Sequence, residues 1–236
     1  AVSADGQRLA WPSRDGTIRV WNCQSREDEF RFRGQPAHLN NLLFTRDGRR
    51  LISVGQDSTI RVWGFSRATD ARMLCRVRAV GGLAFSHDGR RIAIATSNAG
   101  SHGIETGRVR IHDVTTGDEL HRLDAVGDVA FSSDDRWLVT NRSDGSAALW
   151  DTASWQPVRR FYSPGVHSMR VAISPDRRRL VCGTEKGIIL AWDLTTDGPP
   201  TILEGHTNLV TALAFASDGA RFASCDRMGK VILWDR

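Results

Sequence analysis

The sequence is poor in lysine and in long apolar runs. Of its 32 basic side chains, only Lys186 and Lys230 are lysines and the others are arginines. This skew is associated with GC-rich genomes and predicts a bacterial source. No apolar run approaches the roughly 18 residues of a membrane-spanning helix, and no signal peptide is visible. We therefore expect no membrane segment.

Cysteine is scarce as well. The four cysteines are widely spaced and form no Cys-x-x-Cys pair, which is typical of reduced thiols and predicts a cytoplasmic protein. The sequence also lacks a Gly-x-x-x-x-Gly-Lys phosphate loop, a His-Glu-x-x-His pair and a Gly-x-Ser-x-Gly elbow. We therefore expect no enzyme, no cofactor and no metal site.

What the sequence does contain is one pattern repeated along its length. In five copies a turn aspartate is followed 16 residues later by a tryptophan: Asp5 and Trp21, Asp47 and Trp63, Asp134 and Trp150, Asp176 and Trp192, Asp218 and Trp234. A sixth copy runs from Asp88 to His112 and carries eight extra residues between positions 97 and 107. Turn residues separate short runs of alternating apolar residues, which predicts four antiparallel strands in each copy.

The last copy resembles a WD repeat, because residues 205–235 run from a Gly-His pair to a Trp-Asp pair. The resemblance covers nearly the whole chain. It implies an all-β WD-repeat β-propeller with six visible blade units of four antiparallel strands. The chain starts at the end of a first strand and stops at the end of a third. We therefore expect a ring that is incomplete at both chain ends, and an intact ring of six or seven blades. Residues 1–236 are interpreted as a single β-propeller domain, a fragment of a longer multidomain protein.

In this family, hydrogen bonds among a histidine, a serine or threonine, an aspartate and a tryptophan often lock each blade. The resemblance assigns this structural role to Asp15, Trp21, Ser53, Asp57, Trp63, Thr140, Asp144, Trp150, Trp192, His206, Ser224 and Trp234. In the sixth copy Met228 stands at the aspartate position, so we expect that blade to lack its aspartate.

Other positions vary between copies while the strands repeat. His38, His167 and Leu209 share one position, and Arg14, Gln56, Ser143, Glu185 and Arg227 share another. The inserted loop adds His102 and Glu105. In the family these positions lie on the face where partners bind, so we interpret them as a partner-binding face. Ordinary variation of solvated loops is the alternative. We also expect Trp155 to be an exposed aromatic.

The resemblance implies a non-catalytic protein–protein interaction scaffold that binds protein partners or other domains of the same polypeptide. The alternative is a ligand-sensing or autoinhibitory propeller of a larger bacterial signalling or defence protein, with an NTPase, kinase or protease-like effector. Arginines that follow the turns would attract phosphates or an acidic partner: Arg8, Arg50, Arg91, Arg179 and Arg221. No aromatic residues interleave them as stacking platforms, so we do not expect a nucleic-acid partner.

Overall fold

A computed structural model describes residues 1–13, 15–33, 39–45, 47–65, 71–76, 80–96, 108–162 and 167–235. Within these ranges every regular element is a β-strand. The strands are β1 (Arg8–Pro12), β2 (Ile18–Asn22), β3 (Glu27–Phe32), β4 (Leu39–Phe44), β5 (Arg50–Gly55), β6 (Thr59–Gly64), β7 (Ala71–Arg76), β8 (Val80–Phe85), β9 (Arg91–Thr96), β10 (Val109–Asp113), β11 (Glu119–Leu123), β12 (Val126–Phe131), β13 (Trp137–Asn141), β14 (Ala147–Asp151), β15 (Pro157–Phe161), β16 (Ser168–Ile173), β17 (Arg179–Thr184), β18 (Ile189–Asp193), β19 (Thr201–Leu203), β20 (Val210–Phe215), β21 (Arg221–Asp226) and β22 (Val231–Asp235).

The strands form six antiparallel sheets in chain order, and consecutive strands are neighbours in each sheet. Sheets 2, 3, 4 and 5 have four strands (β4–β7, β8–β11, β12–β15 and β16–β19). Sheet 1 (β1–β3) and sheet 6 (β20–β22) have three. The predicted all-β class, with one sheet for each sequence copy, is confirmed.

Hydrogen bonds from side chains fix the turn between the first and second strands of a sheet. In sheet 2 the Thr45 hydroxyl donates to Asp47 Oδ1 over 2.6 Å, and Arg49 N–H donates to the same oxygen over 2.9 Å. Gly48, the residue after Asp47, has a φ of +64°, where glycine is favoured. Asp135 and Arg177 hold the same left-handed position in sheets 4 and 5. The aspartate turns therefore tolerate a residue other than glycine after the aspartate.

The structure separates into two compact groups of residues. The first comprises residues 1–79, 88–91 and 113–118. Its core joins sheet 1 to sheet 2 through Val20, Phe32, Leu51 and Trp63, all of them fully buried. The second group comprises residues 80–87, 92–112 and 119–236.

The second group stacks its sheets in series. One core joins sheets 3 and 4, a second joins sheets 4 and 5, and a third joins sheets 5 and 6. Between the inner strands, Val171 N–H donates to Asp128 Oδ2 over 3.1 Å, and Arg170 Nε donates to the Thr211 carbonyl over 2.7 Å. Burial raises the pKa of Asp128, against the opposing effects of the Val171 N–H and the Arg170 charge. These polar links tie β12 to β16 and β16 to β20.

Outer strands contact the turn between the third and fourth strands of the following sheet. Arg159 of β15 donates to the Thr196 carbonyl over 2.6 Å. The ring centroid of His121 in β11 lies 4.7 Å from that of Trp155 in the equivalent turn of sheet 4. Trp155 is only 9% exposed. The expectation of an exposed aromatic at this position is therefore wrong, because an outer strand of the preceding sheet covers the indole.

Candidate partner-binding surface

In sheet 5 the structure brings together two of the variable positions. His167 precedes β16, and Glu185 lies in the turn between β17 and β18. Glu185 N–H donates to the His167 carbonyl over 3.3 Å, and both residues are exposed. His167 also packs over Gly145 of sheet 4, because a Cβ on Gly145 would lie 2.4 Å from His167 Nδ1. The hydrogen bond and the contact with Gly145 therefore hold this position, while both side chains keep exposed surface.

Sheet 6 repeats this arrangement. Leu209 precedes β20, and Arg227 lies in the turn between β21 and β22. Arg227 N–H donates to the Leu209 carbonyl over 2.9 Å. Arg227 is exposed and Leu209 is partly exposed. The same backbone contact therefore presents histidine and glutamate in one sheet and leucine and arginine in the next.

Two further candidates lie in equivalent turns. Ser143 is exposed in the turn between β13 and β14, beside Arg142, which donates to the Asp124 carbonyl over 3.2 Å. Gln56 is exposed in the turn between β5 and β6 of the first group. The remaining candidates, Arg14, His38, His102 and Glu105, lie outside the described residues.

The tryptophan positions show three direct side-chain hydrogen bonds to the second strand. The indole N–H of Trp63 donates to Ser53 over 2.8 Å. That of Trp150 donates to Thr140 over 2.9 Å, and that of Trp234 donates to Ser224 over 2.7 Å. Each bond satisfies a polar indole group inside an apolar core.

The two other tryptophans of the repeated pattern, Trp21 and Trp192, show no such bond among the described contacts. Trp192 is 5% exposed, and its ring centroid lies 5.5 Å from that of Phe161. Cys182 stands ten residues before Trp192, at the position that Ser53, Thr140 and Ser224 hold in the other sheets. Trp21 is partly buried and lies opposite Leu9 across β1 and β2.

The aspartates of three sheets fix their own turns. Asp15, Asp57 and Asp144 each accept a hydrogen bond from the backbone N–H two residues on, over 3.0, 3.1 and 3.0 Å. Hydrogen bonds from Thr17 hold the pKa of Asp15 below its ordinary range. Desolvation acts to raise the pKa of Asp144, but hydrogen bonds from Ser146 and the Arg160 charge outweigh it and lower that pKa.

Sheet 6 has a buried aspartate that sequence spacing misses. His206 Nε2 lies 2.6 Å from Ser224 Oγ, and His206 Nδ1 lies 3.1 Å from Asp226 Oδ2. The expectation that this sheet lacks its aspartate is wrong, because Asp226 enters from the end of β21 instead of from position 228. The one sequence signal is an aspartate two residues after Ser224.

Ser224, His206 and Asp226 are arranged like a hydrolytic triad, but their surroundings are structural. The three residues are 2%, 7% and 3% exposed. The Ser224 hydroxyl also accepts the Trp234 indole N–H. A nucleophile must reach a substrate carbonyl, and this hydroxyl lies in the core. The cluster therefore stabilises the sheet.

The described residues bring no three His, Cys, Asp or Glu side chains together as ligands for a metal ion. Nowhere in the part of the chain that the structure describes is there a helix with the length and apolarity needed to cross a membrane.

Arginines at the opposite end of the sheets are partly paired. Arg8 makes a bidentate contact with Glu29, at 2.8 and 2.6 Å, and Arg177 contacts Asp134. Arg50 donates to the Thr115 hydroxyl over 3.2 Å. The two carboxylate contacts neutralise part of the positive charge that a phosphate backbone would need.

Comparison with known proteins identifies the repeat. The family profile described as WD domain, G-beta repeat, matches residues 28–64, 117–151 and 198–235. These three segments of the chain match the WD-repeat profile. The three matched segments include Asp57 and Trp63, Asp144 and Trp150, and the His206 cluster. The polar blade contacts described above therefore belong to this repeat.

Three relatives illustrate where similar WD repeats occur. Jouberin of Mus musculus is 26% identical over 163 residues, which are 65% of this chain and 15% of jouberin. The serine-threonine kinase receptor-associated protein of Dictyostelium discoideum is 28% identical over 128 residues, 53% of this chain and 43% of that protein. A target of rapamycin complex subunit of Mus musculus is 25% identical over 111 residues, 47% of this chain and 34% of that subunit.

The matched region spans less than half the length of each of these relatives. Two of them are named as a complex subunit or as a receptor-associated protein. All three come from eukaryotes, so they lend no support to the bacterial source expected from the arginine-rich composition.

Proposed function

We propose that this WD-repeat chain is a non-catalytic platform for protein–protein contacts. The observation that carries the proposal is the repeated backbone contact that joins Glu185 to His167 and Arg227 to Leu209. It fixes the main chain at equivalent places and leaves side chains of different charge and size at the surface. Specific binding needs variable groups held on a rigid scaffold. The partner-binding face then comprises Arg14, His38, Gln56, His102, Glu105, Ser143, His167, Glu185, Leu209 and Arg227.

The proposed location, source and domain organisation of the protein each have separate support. Four cysteines without a disulfide favour a cytoplasmic location. The arginine skew alone favours a bacterial source. Equivalent sheets along the described residues favour one propeller domain over residues 1–236, which we propose to be part of a longer polypeptide. Another domain of that polypeptide is then a possible occupant of the face, as in the sensor or autoinhibitory alternative.

The experiment is site-specific photocrosslinking in the native cells. A photoreactive residue replaces Glu185 or, separately, Arg227. The matched control replaces Arg178, which is exposed in the turn that follows β16 at the opposite end of sheet 5. We expect a protein adduct from the first two positions and none from the third. Adducts confined to the same polypeptide would favour the sensor alternative. Equal adducts from all three positions would contradict the assignment of the face.

A further inference from the structure

The turn between β21 and β22 is built differently from its equivalents. In sheets 1, 2 and 4 the capping aspartate lies within the turn, six residues before the tryptophan. In sheet 6 the cap is Asp226, whose Oδ1 accepts Met228 N–H and Lys230 N–H, both over 3.0 Å. Its other oxygen contacts buried His206. The carboxylate therefore lies beneath the turn, and the residue at position 228 is not needed to cap it.

The outward side of this turn is consequently cationic. Arg227 and Lys230 are exposed, and the Lys230 ammonium donates to the Gly205 carbonyl over 2.6 Å. Among the described residues, no carboxylate forms an ion pair with either side chain. In sheet 4, by contrast, Arg142 lies 3.7 Å from an oxygen of Asp124, so its charge is partly neutralised.

An exposed apolar residue lies between these cations in the sequence. Met228 is 77% exposed, the largest value among the exposed large apolar residues of the described chain. Leu209 is partly exposed, and its carbonyl accepts the N–H of Arg227, the residue before Met228. A methionine thioether adapts to varied apolar partners, and methionine is frequent at binding surfaces that accept several ligands.

We infer that the sheet-6 turn surface, formed by Leu209, Arg227, Met228 and Lys230, binds an acidic protein segment that inserts an apolar side chain. Carboxylates of the segment pair with the two cations, and its apolar residue covers Met228. Complementary charge accelerates association and selects the partner, while burial of the apolar contact supplies the driving force. This inference rests on the proposed function and specifies the partner's chemistry.

A nucleic acid would also meet the two cations, but it offers no apolar side chain for Met228. The described part of this turn has no aromatic residue on which a base would stack. The observations therefore favour a protein segment, and the nucleic acid becomes an outcome of the test.

The test is selection of random dodecapeptides displayed on phage against the purified chain. We expect enrichment of peptides in which Asp or Glu lies beside Leu, Ile, Phe or Met. Synthetic copies of them should bind about tenfold more weakly to the Arg227→Glu/Lys230→Glu variant. Met228→Ala should weaken binding, and Met228→Leu should retain it. The control, Arg221→Glu, reverses an exposed charge at the other end of β21 and should bind normally.

Two results would overturn the inference while the proposed function stands. One is a set of peptides that lose binding with Glu185→Lys but bind the Arg227→Glu/Lys230→Glu variant unchanged. The other is displacement of the selected peptides by single-stranded oligothymidylate, with no effect of Met228→Ala, which would identify a phosphate site. Peptides insensitive to substitutions on both surfaces would overturn the inference and the proposed function together.

Discussion

His206 Nδ1 lies 3.1 Å from Asp226 Oδ2 in the core of sheet 6, and Asp226 Oδ1 accepts two backbone N–H groups of the adjoining turn. One carboxylate therefore fixes a buried histidine and a surface turn at the same time. The proposed turn surface depends on this geometry, because Asp226 sets the backbone on which Arg227 and Met228 are presented.

Replacement of Asp226 by Asn should destabilise the chain at neutral pH. Desolvation acts to raise the pKa of Asp226, but hydrogen bonds from Lys230 N–H, His206 and Met228 N–H outweigh it and lower that pKa. A carboxyl whose folded pKa is depressed adds stability above its unfolded pKa, near 3.8. That stability is lost as the pH falls through the folded pKa. Asp226→Asn should therefore lower the melting temperature at pH 7 and flatten its decline in acid.

The matched control is Asp218→Asn in the exposed turn before β21, where the carboxylate accepts one hydrogen bond, from Ala220 N–H over 2.9 Å. Its melting curve should stay close to that of the unchanged chain. If the two variants melted alike at every pH, the stabilising role of the His206 contact would be refuted.

Ser53→Ala should cost about 1–3 kcal/mol of unfolding free energy, because it leaves the buried Trp63 indole N–H without its acceptor. Urea unfolding measures the change, and Ser25→Ala in an exposed turn is the control. Ser53→Ala and Trp63→Phe should be non-additive, since each removes the same bond. Strictly additive losses would show that the bond contributes nothing.

The local pattern predicted the six sheets because strand and turn signals are close in sequence. Asp47 and Gly48, for example, specify their turn through contacts within a few residues. Asp226 was missed because alignment by spacing selects position 228. In sheet 6 the aspartate that contacts His206 lies eight residues before Trp234, at position 226. Trp155 was misjudged because its cover, His121, comes from another copy of the repeat, and no spacing rule reports such a contact.

Cys182 should resist thiol reagents in the folded chain. It is fully buried, and burial raises its pKa to about 12, so thiolate is scarce at pH 8 and the sulfur is covered. Cys23 and Cys225 are partly exposed and serve as internal controls. Mass spectrometry after brief alkylation should find these two modified and Cys182 modified only in urea. Equal labelling of Cys182 and Cys225 without urea would contradict the buried site.

Trp155→Gly should destabilise sheet 4 by about 3–5 kcal/mol, the typical cost of emptying a buried indole site. Trp155 has a φ of 56°, which glycine adopts more easily than tryptophan does. We therefore expect the loss of packing against His121 to outweigh the relief of backbone strain. Arg26→Gly is the matched control. Arg26 holds the equivalent turn position with a φ of 57°, is exposed, and should change stability by about 0.5 kcal/mol or less. Equal effects of the two substitutions, read from urea unfolding, would assign Trp155 a surface role.

Asp128→Asn should stabilise the chain at pH 7. Burial between the inner strands of sheets 4 and 5 raises the pKa of Asp128, and the Val171 N–H and the Arg170 charge only partly offset this effect. A carboxyl whose folded pKa is raised favours the native state below its unfolded pKa, and this contribution is lost as the pH rises through the folded pKa. The amide carries no charge, and its oxygen can still accept Val171 N–H. The gain in unfolding free energy should therefore be present at pH 7 and shrink toward pH 4, as urea titrations at both pH values would show. A variant less stable than the unchanged chain at pH 7 would mean that the Arg170 charge outweighs desolvation at this position.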